Sequence, residues 1–274
     1  MNKLRRTERI TLITRELMDF PNRSFPLTYF CDKLQAAKSS ISEDLSIIKE
    51  TFHRTGTGLL KTQVGATGGV CFVPMLAKSE KDQFIQELCR KLSTADRVVP
   101  GGFIYLTDII FDPVMGQNIG RIFSSLFAHT RPDFILTIET KGIPLALLTA
   151  REMGVPLIIV RDESKVSEGS AVSINYVSGS TKRIQTMALA RRALPAGSRV
   201  LIIDDFMKGG GTAKGMLDLM TEFGAQVTGI GVLISTTEPE TKLVDKYVSL
   251  LELVSFNEDT RQIIIRPGNC LQQG

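Results

Sequence analysis

Thirteen consecutive residues restrict the fold of this chain more than any others: Val200, Leu201, Ile202, Ile203, Asp204, Asp205, Phe206, Met207, Lys208, Gly209, Gly210, Gly211 and Thr212. Four apolar residues without alternation mark a strand covered on both faces, as in a parallel sheet flanked by helices. Two adjacent carboxylates end that strand, and a glycine run then opens a helix predicted over Ala213–Phe223. In an open α/β sheet, ligands bind in the crevice beyond the carboxyl ends of the strands. Glycines let backbone N–H groups close on a phosphate, the helix N-terminus favours its charge, and Thr212 adds a hydroxyl. An acidic pair would repel a bare phosphate. Ionised carboxylates accept hydrogen bonds, however, so they suit hydroxyls carried by the same ligand. The pattern predicts a sugar phosphate.

This arrangement resembles the phosphoribosyl-pyrophosphate (PRPP) motif of type I phosphoribosyltransferases, with one departure. Base-salvage enzymes of that kind often have Ala-Thr where this chain has Lys208 and Gly209, so a phosphate-binding hydroxyl is lost and a cation gained. The resemblance implies that Asp204 and Asp205 hold the ribose hydroxyls, directly or through Mg²⁺, with the chain from Phe206 to Thr212 around the 5′-phosphate. A second loop, Thr140, Lys141 and Gly142, also sits where a buried strand, Phe134–Ile138, hands over to a helix. By the same resemblance it is the pyrophosphate loop, often built on a non-proline cis peptide. Arg161, Lys165 and Ser167 fall where that fold has its mobile loop, and Tyr105 is a further candidate to cover the sugar. No metal cluster of the protein's own is expected, nor a required cofactor.

Charge separates the chain into unequal parts. Residues 1–62 hold 11 Lys/Arg and 7 Asp/Glu; taken from totals of 33 and 29, that leaves 22 of each sign downstream. The whole net charge of +4 therefore lies in the first quarter. A basic module beside a neutral domain is what a polyanion binder shows, although solvated surface charge would look the same. The apolar pattern is more specific. Ile10, Ile13, Leu17 and Phe20 form a helical stripe over Arg9–Phe20, and Leu27–Leu34 fits a second helix. A third helix, Ile41–His53, is expected to be capped by Ser39 or Ser40, with Glu43 completing a capping box. Leu59–Val64 and Val70–Val73 then read as a hairpin. Three helices and a hairpin make a winged helix-turn-helix, whose recognition helix enters the major groove N-terminus first. Lys38, Ser39, Ser40 and Ser42 would then face DNA, with Arg5, Arg6 and Lys49 on flanking phosphates. A packing module without DNA is the alternative.

Four scattered cysteines (Cys31, Cys71, Cys89, Cys270) and two lone histidines lack metal spacing, which suits reduced thiols in a cytoplasmic protein. No apolar run has membrane-spanning length. Two domains are expected, 1–74 and 75–274, with residues 75–97 as a linking helix. Beyond it the elements alternate: a helix at Ile119–Ala128, strands at Phe134–Ile138 and Val155–Val160, an extended hairpin-like segment at Ser167–Ser180, a helix at Met187–Ala193, and strands at 200–203, Val227–Ile234 and about Val244–Leu253. That series predicts a mostly parallel α/β sheet flanked by helices.

As a whole the chain resembles the purine operon repressor family of Gram-positive bacteria. The similarity runs through residues 38–45, 140–146, 172–179 and the acidic motif. It implies a winged helix fused to a type I phosphoribosyltransferase fold that senses PRPP instead of catalysing. It further implies a homodimer that represses purine biosynthesis genes from double-stranded operator DNA and releases when PRPP rises. Other pyrophosphate-bearing nucleotides are candidate competitors. A catalytically active transferase with a DNA-binding extension is the alternative. An enzyme needs a nucleobase hood, which the sequence does not identify, and has no use for a basic winged helix.

Overall fold

The computed structural model describes residues 4–63, 68–99, 103–163, 169–177 and 183–271. The chain falls into two compact units, residues 1–78 with 151–154, and residues 79–150 with 155–274.

The first unit carries helices α1 (Arg6–Asp19), α2 (Leu27–Leu34) and α3 (Lys38–Thr55), then an antiparallel hairpin of β1 (Gly58–Gln63) and β2 (Gly69–Pro74). Ile13 and Leu17 from α1, Phe30 from α2, and Ile41, Ile48 and Phe52 from α3 close one core with Phe25 and Phe72. The predicted cap at Ser39 or Ser40 is not what starts α3. Gln35 takes the left-handed conformation and ends α2, donating its N–H to the Cys31 carbonyl. Ala37 is then extended and accepts the Ile41 N–H at 3.1 Å, so the helix begins at Lys38 and all three serines lie inside it. A left-handed residue that is neither Gly nor Asn carries little sequence signal, which hid the sharpness of this turn. Gly56, at φ +68°, ends α3.

The second unit opens with α4 (Lys78–Leu92), the short strands β3 (Val98–Val99) and β4 (Phe103–Ile104), α5 (Thr107–Ile110) and α6 (Pro113–Phe127). Helix α6 starts six residues before its predicted position, because Asp112 accepts the Val114 and Met115 N–H groups at 2.8 Å and Pro113 fills the first turn. There follow β5 (Phe134–Ile138), α7 (Gly142–Met153), β6 (Leu157–Val160), β7 (Ala171–Val177), β8 (Ile184–Ala190), β9 (Arg199–Met207), α8 (Gly211–Glu222), β10 (Gln226–Thr236), β11 (Val248–Asn257) and β12 (Gln262–Pro267). The main sheet runs β12-β11-β10-β9-β5-β6, parallel except for the edge strand β12. Leu136, Val200, Ile202 and Val232 are fully buried on it, as the unbroken apolar runs require.

One predicted helix is a strand. Residues 184–190 pair antiparallel with 171–177, from Val177↔Ile184 to Ala171↔Ala190, and only Arg191–Ala193 is helical, as a 3₁₀ turn. Met, Ala and Leu favour helices, but Met187 and Leu189 are buried in the core beneath the hairpin, and burial decides over propensity.

Candidate functional site

Strands β5 and β9 are neighbours, so the loops that follow them open side by side at one sheet edge. They border a cavity of about 800 Å³ within the second unit. The acidic pair lies inside the strand, since β9 runs on to Met207. Asp204 is 7% exposed, and its Oδ1 accepts the Asp205 N–H at 2.9 Å. Burial drives the Asp204 carboxyl well above the ordinary carboxylate range, and the Asp205 charge pushes the same way. Burial also raises Asp205, opposed by its contact with Asp204 and by the positive charge of Lys141. Two desolvated acids therefore face one cavity with a single nearby cation to compensate them.

Gly210, at φ +78°, caps α8 and accepts the Lys214 N–H at 2.8 Å. The loop is held from behind: the Gly209 carbonyl accepts the Leu243 N–H at 2.9 Å, and the Lys208 carbonyl the Thr236 hydroxyl at 3.2 Å. The first turn of α8 and its glycines face the cavity, the geometry of an anion site. Gly142 couples this loop to the other one. A Cβ there would stand 2.3 Å from Thr137 Oγ1 and 2.8 Å from Asp204 Oδ1, so only glycine lets the β5–α7 turn lie against the acid. The Glu139–Thr140 peptide in that turn is cis.

Of the sequence candidates, Thr140, Lys141, Gly142 and every residue from Asp204 to Thr212 line the cavity. Arg161 and Tyr105 do not appear in its lining. Arg161 Nη1 binds Glu139 Oε2 at 3.0 Å, and its backbone pairs with Ala188. The Tyr105 ring lies 5.8 Å from the Arg97 guanidinium, while its neighbours Phe103, Ile104 and Leu106 reach the cavity. Lys165 and Ser167 lie outside the described residues. The sequence reading missed Asp162, Tyr176 and Gln185, which all line the cavity. Burial raises the Asp162 carboxyl, with Glu139 and Glu163 adding to it. Alternation marked residues 172–177 as extended, but which of their side chains meet the glycine loop depends on how the hairpin lies over α8.

On the first unit, α3 presents Lys38, Ser39, Ser42 and Lys49 exposed and Ser40 half-buried. Ser46, between Ser42 and Lys49 at helical spacing, is exposed as well and was not among the candidates. Arg5 is exposed, and its N–H binds Glu8 Oε2 at 2.6 Å. Arg6 is also exposed but engaged, 3.3 Å from Glu43 and 3.4 Å from Asp44.

Comparison with known proteins divides the chain in the same places. Residues 5–74 match the family model described as bacterial purine repressor, N-terminal, and residues 107–264 the phosphoribosyl transferase domain. A purine biosynthesis transcriptional repressor of Bacillus subtilis is 49% identical over 270 residues, covering 98% of this chain and 95% of that protein. A purine biosynthesis transcriptional activator of Lactococcus lactis is 39% identical over 266 residues, with 97% and 98% covered. The crystal structure of adenine phosphoribosyltransferase from Thermoanaerobacter pseudethanolicus aligns with a TM-score of 0.53 at 21% identity, covering 61% of this chain and 98% of that one. That likeness speaks to the fold alone. No helix among the described residues is long and apolar enough to cross a membrane.

Proposed function

The chain belongs to the family of purine biosynthesis transcriptional regulators, and on that premise we propose that it represses purine biosynthesis genes by binding operator DNA and lets go when PRPP fills the cavity. Relatives of both signs exist; repression is the reading here because the Bacillus subtilis repressor shares more of the sequence than the Lactococcus lactis activator. DNA binding is supported by the exposed lysines and serines at the start of α3, which lie where a recognition helix meets the major groove. The observation that carries PRPP is the cavity itself: two acids, a glycine-rich helix start and the Thr140–Lys141–Gly142 turn converge on one space. Acids to accept from hydroxyls and amides to cradle phosphates match a phosphorylated sugar better than either a free sugar or a free phosphate.

Mg²⁺ fits this arrangement as a companion of the ligand. Among the described residues no three acid, thiol or imidazole groups gather to hold a metal by themselves. A hard cation shared between one or two carboxylates and diphosphate oxygens is the usual Mg²⁺ arrangement, and Asp204 and Asp205 would supply the protein's part. A homodimer is the assembly we expect, since a two-fold regulator reads two half-sites. The exposed side chains of Phe111 and Val114 at the start of α6, and of Leu147 on α7, offer apolar surface for it. A working transferase would use the same cavity. Lys208 and Gly209 argue against it, and pyrophosphate release from PRPP, Mg²⁺ and each nucleobase would decide.

The effector site is tested by Asp204→Ala/Asp205→Ala. Charge-assisted hydrogen bonds contribute about 1.5–3 kcal/mol each, so the double change should weaken PRPP by on the order of a hundredfold or more. Operator affinity without ligand should persist, because both acids lie in the second unit. Operator binding is followed for both proteins across a PRPP titration with Mg²⁺. Release at the same PRPP concentration in both would reject this motif as the effector site.

A further inference from the structure

The mouth of the phosphate loop is occupied by a side chain from the hairpin. Strand β7 lies over α8, and Gly215 is where they touch most closely: a Cβ there would stand 3.0 Å from Tyr176 Cβ and Cγ and 2.6 Å from Met187 Cε. That close approach sets the Tyr176 ring over the first turn of α8, in the cavity wall, where it shares a hydrogen bond with the Thr212 side chain. The phenol also meets Gln185 Oε1 at 3.0 Å across the hairpin. A phenol has one proton, and the Gln185 oxygen can only accept, so Tyr176 spends its proton on Gln185. The Thr212 hydroxyl must then be the donor to Tyr176. Its single proton is committed to the hairpin, and it is the proton that an anion in the glycine loop would use.

We propose that Tyr176 is a latch on the effector site: an anion entering the glycine loop has to take the Thr212 proton from Tyr176, and in doing so it frees the hairpin from α8. This deepens the PRPP reading and rests on it for the identity of the ligand, though not for the competition itself. Burial, together with the Asp162 and Asp204 charges, raises the Tyr176 hydroxyl and keeps it neutral, so that it accepts from Thr212 without becoming a second anion beside the loop. The device makes the unliganded state the ordered one. Occupancy is converted into movement of an element that carries no ligand-binding acid.

Tyr176→Phe tests this, because phenylalanine keeps the ring over Gly215 and removes only the hydroxyl. Losing one neutral hydrogen bond of about 1 kcal/mol that competes with the ligand should tighten PRPP–Mg²⁺ binding about fivefold in calorimetry. In a Thr212→Ala background the same change should have no effect, a non-additivity that a merely structural tyrosine would not show. In ring-labelled wild type, the Tyr176 resonance should shift on titration with inorganic phosphate as well as with PRPP. If the Tyr176→Phe variant binds PRPP no tighter than a wild type that itself binds it well, the latch is overturned and the effector site is left standing. If phosphate moves Tyr176 but PRPP does not bind, the latch stands and the sugar reading falls. If neither anion binds or shifts the resonance, both fall.

Discussion

Asp44 on α3 and Asp204 on β9 are buried almost equally, at 0% and 7% exposure, and the protein treats them in opposite ways. Asp44 is fully answered: Arg9 meets both its oxygens, at 2.8 and 3.3 Å, and Arg6 approaches to 3.4 Å, while Arg9 also reaches the Leu4 carbonyl. Asp204 is met by a second acid and a backbone N–H. A buried charge is tolerable when paired and hydrogen-bonded, and strongly unfavourable otherwise. The first arrangement ties α1 to α3 within the first unit and leaves nothing for a ligand to supply. The second leaves a deficit of donors and positive charge, which is what a polyhydroxylated ligand carrying a cation brings. One acid builds the fold, and the other is available for binding.

The sharpest way to break that contrast is to remove the answered acid. Asp44→Ala leaves the Arg9 guanidinium, whose side chain is only 12% exposed, without its partner. Breaking a buried pair from one side costs about 3–5 kcal/mol. Hydrogen exchange in α1 and α3 should accelerate more than a hundredfold, with operator binding lost alongside. Exchange within a few-fold of wild type would mean that the pair is incidental to the first unit.

The unanswered acid should behave with the opposite sign. Its folded pKa lies above the unfolded value of 3.8, so between the two the folded state holds more protons. Stability then falls as pH climbs through that window. Asn mimics the protonated acid and removes the penalty. Asp204→Asn should therefore stabilise the unliganded protein at neutral pH by about 1 kcal/mol, a Tm rise of roughly 2–4 °C in a domain of this size. The gain should shrink as pH falls toward 3.8, where wild type becomes protonated as well. A variant less stable than wild type at neutral pH would show that Asp204 is satisfied after all.

The legible parts of this molecule were those with local causes. Helix α2 shows itself in Leu27–Leu34 because Pro26 bounds one end and Phe30 and Leu34 lie four apart on its buried face. The acidic motif could be read because strand, acids and glycines follow one another without interruption. What stayed hidden depended on topology. Residues 187–190 carry a helical composition and become a strand only because residues 171–174 lie beside them. Tyr176 and Gln185 face each other across the hairpin, and their meeting with Thr212 needs β7 to cross α8. The edge strand β12 pairs with β11 after a chain reversal that the sequence reading did not separate from a loop.

The smallest effect concerns the positive charges of the first unit, and it carries the comparison of answered and unanswered charge to the protein surface. Lys38, at the start of α3, is exposed and has no acidic partner among the described residues, whereas the equally exposed Arg6 is held by Glu43 and Asp44. A cation releases counterions from DNA only to the extent that it neutralises phosphate, about 0.9 units of log–log salt slope for each contact. Lys38→Ala should therefore flatten the slope for operator binding by about one unit and weaken all DNA sequences alike. Arg6→Ala should change the slope by clearly less, since its charge is already shared with two acids. The measurement is operator affinity over a salt series for wild type and the two variants. Equal slope changes would mean that Arg6 leaves Glu43 and Asp44 to reach a phosphate, and a Lys38→Ala variant with an unchanged slope would take the start of α3 out of the DNA interface.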